Sequence, residues 1–432
     1  MANTYTTLNS LFTGIADAIR AKKGSLETIV ADTFPIEIEN LKTGFDYSNQ
    51  YITSFQDYAF YGCEDLKSID CSNVTSIGNS TFENCKNLQN VILWDKVETI
   101  GENAFKGCSE NLTIYCMFDS KPENWHENWN PDNREVVWRG GAIDTWNISA
   151  TSEDNVTAKM YTDVFNEGMY TLTISGNGNM TNWSSGSNVP WYSNRSSIKN
   201  IVISQGVTSI GNYAFYKCTS LTSREIPNSV TSIGTDAFDS CTILTSITFG
   251  ESSQLTSIGN WAFGSCKSLK SISIPEGVTT ICDYAFTNCT ILTSIELPNS
   301  VTSIGRNAFY NCSNLTSIEI PDSITSIDIS VFNNCSSLTS ITIPDGVTSI
   351  GGWAFYGCIS LTSIEIPNSV TSIDQYAFYG CSSLTNINYT GTISQWQTIT
   401  FETNWNYNTP DYIIYCTDGN IAKDGTITYH NN

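Results

Sequence analysis

Histidine occurs only twice in the 432 residues, as His126 and His430, and 20 lysines and arginines face 42 acidic residues. The shortage of imidazole removes the usual partner for nucleophilic, acid–base and zinc chemistry. The shortage of cations leaves a formal charge of −22. A surface that negative repels phosphate backbones and anionic lipid, which argues against nucleic acid as a partner. No apolar run approaches the roughly 18 residues of a membrane span, so membrane insertion is not expected. The opening residues Met1-Ala2-Asn3-Thr4-Tyr5-Thr6-Thr7 lack the basic start and apolar stretch of a secretory leader, so no signal peptide is visible. There is no C-x-x-C pair, no G-x-x-x-x-G-K-[ST] phosphate loop and no dinucleotide glycine pattern. No cofactor and no metal are expected.

What is abundant is Thr, Ser, Asn and Ile, with a hydrophobic fraction of 40%, enough for a core rich in β-structure and turns. The fifteen cysteines look at first like a disulfide framework, but Cys289, Cys312, Cys335, Cys358 and Cys381 recur every 23 residues. Strict recurrence marks one position of a repeat, where a free thiol serves as a small hydrophobe. One copy runs from Val347 to Pro367, and others start near Val207, Val230, Leu255, Val278, Val301, Ile324 and Val370. Leu361, Ile364 and Ile366 follow L-x-x-L-x-L spacing, which turns apolar side chains inward from a short strand. Pro367 ends that strand because it cannot donate to a ladder. Val370 and Ile373 form a second extended piece. Ala377 and Phe378 then begin a brief helical or 3₁₀ turn with Cys381 on its inner side. An insertion of two residues before Leu255 belongs in a loop. No copy can bury its apolar groups alone, so stability comes from stacked neighbours.

The chain divides by this pattern into four segments. Residues 1–46 place Leu8, Leu11, Phe12, Ile15 and Ile19 on one helical face, and a second helix is expected from Thr33, together making a small N-terminal helical hairpin that serves as an anchor or as a cap for the first array. Residues 47–140 hold a first short array with three looser copies, ending in Phe60–Cys63, Phe82–Cys85 and Phe105–Cys108. Residues 141–200 break the period and read as a β-rich spacer, with Gly140-Gly141 as hinge. Residues 201–432 hold the second array. Each array closes on Trp-rich text, Trp125-His126-Glu127-Asn128-Trp129 and Asn404-Trp405-Asn406-Tyr407, suited to covering a last hydrophobic face, with a carbohydrate platform as the other role open to it. Arg224 stands where Ile is usual and should face the spacer; Val331 replaces the usual Ala.

The unit Val-Thr-Ser-Ile-Gly…Ala-Phe…Cys…Leu-Thr-Ser-Ile…Ile-Pro resembles the BspA-type leucine-rich repeat of bacterial and protozoan surface proteins, over nearly all of residues 50–416. The resemblance implies a mainly β fold, a leucine-rich-repeat solenoid of about 23-residue units in two arrays. It also implies a non-enzymatic adhesin of host matrix, other bacteria or sugars. Separately, Leu11–Arg20 and Ala31–Pro35 resemble the start of tail-associated proteins of gut Firmicutes phages and prophages. That resemblance implies a virion partner or homo-oligomer through residues 1–46.

Within the repeat, the residue before Ala-Phe varies freely and is often aromatic: Tyr213, Trp261, Tyr284, Trp353 and Tyr376. The residue after Phe does likewise: Tyr216, Tyr310, Tyr356 and Tyr379. Rings on a rigid scaffold can stack on sugars or anchor a protein; shielding of the turns is the other role open to them. Glu296, Glu319 and Glu365 share one strand position and are read as a ladder beside the rings. An exposed ladder does not provide the desolvated acid that a glycosidase pair needs. Asp418–Gly425 lacks the spacing of a calcium loop and reads as turns around a last hairpin. The expected function is adhesion or receptor binding, presenting the repeat surface to a bacterial or host cell-surface glycan or protein. The expected location is extracellular, either as a phage tail-associated protein or as a cellular surface adhesin.

Overall fold

The computed structural model describes residues 53–430, apart from 72–73, 119, 139–141 and 164–165. The expected helical hairpin of residues 1–46 and the glycine hinge therefore lie outside the described residues. Two compact units are present, with the break between Asp144 and Thr145.

In the second unit most coils contribute two short strands to parallel ladders; the coil of Leu315 to Ile320 contributes only one, Ser326–Ile327. Ser363–Ile366 pairs in parallel with Ser340–Thr342 and with Asn386–Tyr389. After the Pro367 corner, Ser372–Ile373 pairs with Ser349–Ile350. The register places Ile over Ile in each case, because residues in line along parallel strands share a face and only the inward face is dry. The insertion before Leu255 emerges as an exposed turn at Glu251 and Ser252, outside both ladders.

The third side of each coil departs from the helical expectation. Ala354, Tyr356 and Cys358 donate their N–H groups three residues back, to Gly351, Trp353 and Phe355. The alternate residues Trp353, Phe355 and Gly357 donate instead to Gln375, Ala377 and Tyr379 of the following coil, at 2.8–3.1 Å. A helix would direct all these donors back along its own segment. Here half of them point along the solenoid, which requires left-handed backbone at two positions per turn: φ is 56° at Trp353 and 68° at Gly357.

This geometry aligns the phenylalanines into a buried column. From Phe238 through Phe263, Phe286, Phe309, Phe332 and Phe355 to Phe378, ring centroids are 5.2–5.7 Å apart and planes within 15° of parallel. The repeat cysteines line the same interior. The Cys381 thiol donates to the Phe355 carbonyl at 3.1 Å, and Cys358, Cys335 and Cys312 do the same to Phe332, Phe309 and Phe286. All fifteen cysteines are free. Burial pushes the Cys381 thiol up to about 12, which keeps it protonated and poorly nucleophilic.

The ends are sealed by tryptophan. The spacer contributes Thr157–Thr162 and Tyr170–Ser175 as an antiparallel pair, and Ile198–Ile203 joins in parallel. Below it, Trp191 is buried and its indole N–H donates to the Ala214 carbonyl at 2.8 Å. Arg224 faces the spacer as expected, donating to the carbonyl of Lys199 and to the Asn200 side chain. At the far end the Trp405 carbonyl accepts the Phe378 N–H at 2.7 Å. The strands Ile413–Cys416, Gly419–Ala422 and Ile427–Tyr429 then close the sheet as antiparallel hairpins. The first unit repeats the logic in miniature: Trp129 accepts from Phe105, and the Trp125 indole donates to Val97 at 3.1 Å.

Removing one ring from the column tests its weight. Phe309→Ala leaves a cavity between two stacked neighbours and should cost about 3–5 kcal/mol in urea unfolding. A loss under about 1 kcal/mol would show that the column is not what binds coil to coil.

Candidate functional site

The ring positions identified from sequence are set by the turn backbone. The residue before Ala-Phe is left-handed in successive coils, with φ of 60° at Tyr213, 57° at Trp261, 59° at Tyr284, 56° at Trp353 and 59° at Tyr376. Asn103, Asn307 and Asn404 take the same conformation at the equivalent position, φ 57–60°. Asn suits this backbone; Trp and Tyr carry a cost of about 1–2 kcal/mol there. The fold therefore does not ask for rings at this place.

Four of the rings converge near the C-terminal end. Trp353 and Tyr376 form one row, 5.6 Å between centroids, and Tyr356 and Tyr379 a second, at 4.9 Å. Tyr376 meets Tyr379 edge-on at 5.6 Å, joining the rows. Together with Asn404 and Tyr407 they line an open cleft of about 420 Å³. Tyr407 extends the second row at 5.5 Å and is 59% exposed. From sequence Asn404 and Tyr407 belong to a segment read as a cap, with a carbohydrate platform as its other role, and not as part of the ring rows. The missed signal is their spacing, since Asn404-x-x-Tyr407-Asn408 repeats Tyr376-x-x-Tyr379-Gly380, left-handed at both ends.

The remaining candidates do not join this cleft. Trp261 and Tyr284 stack on each other at 4.4 Å with planes 6° apart, while Gly264 and Thr287 occupy the second row beside them. Tyr310 has Thr287 and Asn333 before and after it in its row, so the stripe is interrupted. Tyr213 and Tyr216 meet edge-on at 5.8 Å beside the spacer, whose Gly186 lies so close that a Cβ there would come within 2.3 Å of the Tyr216 ring. Tyr58 and Tyr61 hold the same two places in the first unit, at 5.9 Å, where the looser copies hid them.

The glutamates stand elsewhere on the coil. Glu296 and Glu365 lie on strands, exposed, in line with Ser273 and Thr342, and Glu319 is exposed at the same place in its coil. A whole strand, Ser372–Ile373, separates Glu365 from the turn that carries Tyr376, and no glutamate lines the cleft. The acids are thus a solvated row and not a flank of the aromatic site. His126 accepts from the Asn128 backbone within the cap of the first unit. Among the described residues no group of three or more His, Cys, Asp or Glu is arranged to hold a metal.

Beside Tyr213 and Tyr216 sit two acids that occupy ring positions, Asp236 and Asp239. Tyr213 hydrogen-bonds Asp236, and burial raises both of these groups. Burial pushes the Asp239 carboxyl up to about 6, opposed by the Ser240 hydroxyl, which donates to it at 2.9 Å.

Comparison with known proteins places this geometry in context. A family model described as BspA type leucine rich repeat region matches residues 23–121, 190–316 and 302–413. A solved leucine-rich repeat protein from Bacteroides ovatus is 25% identical over 83% of this chain and 80% of that one, TM-score 0.47. A leucine rich cell surface protein from Faecalibacterium prausnitzii is 27% identical over 81% and 86%, TM-score 0.33. A leucine-rich repeat protein of T. pallidum is 28% identical over 47% and 87%, TM-score 0.35. No curated protein matches the chain.

Asp239 gives a pH test. Its folded pKa lies above the ordinary carboxylate range. The folded state therefore binds this proton more tightly, and stability is lost as pH rises between about 4 and 6. Asp239→Asn should raise Tm relative to wild type at pH 7.5 and change it little at pH 4. An equal shift at both pH values would refute the titration.

Proposed function

The chain belongs to the BspA-type leucine-rich repeat family, and from that premise we propose that it is a non-enzymatic recognition protein. Its cleft of Trp353, Tyr356, Tyr376, Tyr379, Asn404 and Tyr407 is presented to a cell-surface glycan or protein. One observation carries the reading: large rings occupy left-handed positions that Asn fills elsewhere at lower cost, and two of them, Trp353 and Tyr376, join Tyr356, Tyr379 and Tyr407 along an open cleft. Shielding of the turns does not account for this, because the coils carrying Asn307 and Ser330 keep the same turn with no ring at that position.

Several features support binding over catalysis. The repeat thiols of the second unit are buried and protonated, the imidazoles lie outside the coils, and the exposed glutamates lack a desolvated partner. Among the described residues no helix is long and apolar enough to cross a membrane. An extracellular setting at a cell surface fits the family, and a cellular adhesin is the reading we favour. The alternative, a virion tail component, draws on residues 1–46 alone; they lie outside the described residues, and no comparison supports it.

Trp353→Asn and Tyr376→Asn separate recognition from folding. Each relieves a left-handed cost of about 1 kcal/mol and gives up ring stacking of similar size, so stability should move by less than about 1 kcal/mol. Binding of labelled full-length protein to a panel of gut bacteria and purified matrix proteins should fall sharply in both variants. Undiminished binding by the folded variants would remove the cleft from the recognition surface.

A further inference from the structure

The cleft has a period, a polarity and a charge, and together these select one kind of occupant. Along the solenoid the rings recur once per coil, at 5.6 Å in the first row and at 4.9 and 5.5 Å in the second. A polymer lying along this axis makes equivalent contacts at every coil only if its own repeat advances by a similar length. An extended peptide returns a side chain to the same face every two residues, about 6.6 Å. A polyproline helix advances about 3.1 Å per residue and about 9 Å per turn. Both drift out of register within the three coils of the cleft. An extended chain of equatorially linked hexoses advances by close to one coil spacing per sugar. Although successive sugars are turned over, each carries axial C–H groups on both faces, so every sugar presents an apolar face to its coil.

The chemistry of the lining agrees. It carries no charged side chain: four tyrosine hydroxyls, one indole N–H and one carboxamide are its polar groups. With no cation in the lining and a chain of net charge −22, an anionic polymer is repelled. With no carboxylate in the lining, a basic peptide finds no partner there. A neutral sugar offers what the rings and hydroxyls match, apolar C–H faces bordered by hydroxyl groups. The near-parallel rings of each row are stacked on one another from coil to coil, 4.9–5.6 Å apart between centroids. The exposed Tyr407 ends its row with no further ring beyond it.

We propose that the cleft binds an uncharged, extended hexose polymer along the solenoid axis, one sugar per coil across the coils of Trp353, Tyr376 and Asn404. This deepens the recognition reading above and rests on it. The tight Trp261–Tyr284 pair, with no second row beside it, lies outside the cleft and provides a built-in control.

The test titrates the full chain, by calorimetry and tryptophan fluorescence, with glucose and mannose β-1,4 oligomers from dimer to hexamer. An oligogalacturonate and a proline-rich decapeptide serve as the charged and peptide probes. Affinity for at least one neutral series should rise up to three or four sugars and then level off. It should weaken about tenfold or more in Trp353→Asn and in Tyr379→Ala, and remain unchanged in Trp261→Asn. Circular dichroism and unfolding of each variant separate lost binding from lost fold. Trp353-dependent binding of the peptide or the oligogalacturonate overturns the neutral-sugar assignment and leaves the recognition reading standing. So does silence of both neutral series when whole-cell binding still requires Trp353. Whole-cell binding that ignores Trp353 and Tyr379 overturns both.

Discussion

Within each turn, alternate backbone N–H groups are donated forward to the next coil, as from Trp353, Phe355 and Gly357 to Gln375, Ala377 and Tyr379. A buried amide without a partner costs about as much as a lost hydrogen bond, so no coil is complete until its successor is in place. The left-handed residues exist to aim those donors along the axis. The phenylalanine column follows, because turns locked one above another must place Phe over Phe. The thiol acquires its place from the same geometry. A Phe carbonyl already accepts the Cys N–H of its own turn and takes the next coil's Sγ–H as well, as Phe355 does from Cys358 and Cys381. A serine hydroxyl there would satisfy the same carbonyl but give up the apolar packing of the sulfur.

The same demand explains the ends of both units. The last turn of each array still has forward-pointing donors, and the tryptophan-rich segments supply carbonyls for them while covering the last Phe ring. Phe105 donates to Trp129, and Phe378 to Trp405, whose rings meet the Phe edge-on at 5.7 and 6.0 Å. At the start of the second unit the problem is mirrored, with free acceptors, and the Trp191 indole donates to Ala214. A cap of this kind must imitate the turn it covers. That is why Asn404-Trp405-Asn406-Tyr407 keeps the ring spacing of the repeat and completes the cleft.

The period, the inward rows, the proline corner and the spacer-facing Arg224 were legible because burial imposes one residue type per position, and repetition displays it many times. The turn was misread as helical because hydrogen bonds between residues some 23 positions apart leave no local signature. Its left-handed sites are occupied by Gly, Asn, Ser, Asp, Lys, Tyr and Trp, a mixture in which the usual Gly and Asn signal is diluted. The candidate rings were legible as variable positions. Their grouping was not, since it depends on which adjacent coils carry rings in both rows. Trp353 and Tyr356 have such neighbours; Trp261 and Tyr310 do not. The glutamates misled for a related reason: one-dimensional proximity to the rings conceals an intervening strand and a corner.

A solenoid of this kind separates what holds it together from what it shows. The forward hydrogen bonds use only backbone, and the column uses only inward side chains, so the outward side chain before Ala-Phe takes part in neither. It is not free of cost, because its backbone is fixed in a conformation that rings dislike. A polar residue there, as at Asn307 or Ser330, is what stability alone would choose. Where Trp and Tyr stand instead, in adjacent coils and in both rows, stability has been spent on a surface. The coil spacing then sets the spacing of whatever that surface holds, so the constraint that builds the core also gives the cleft its ruler.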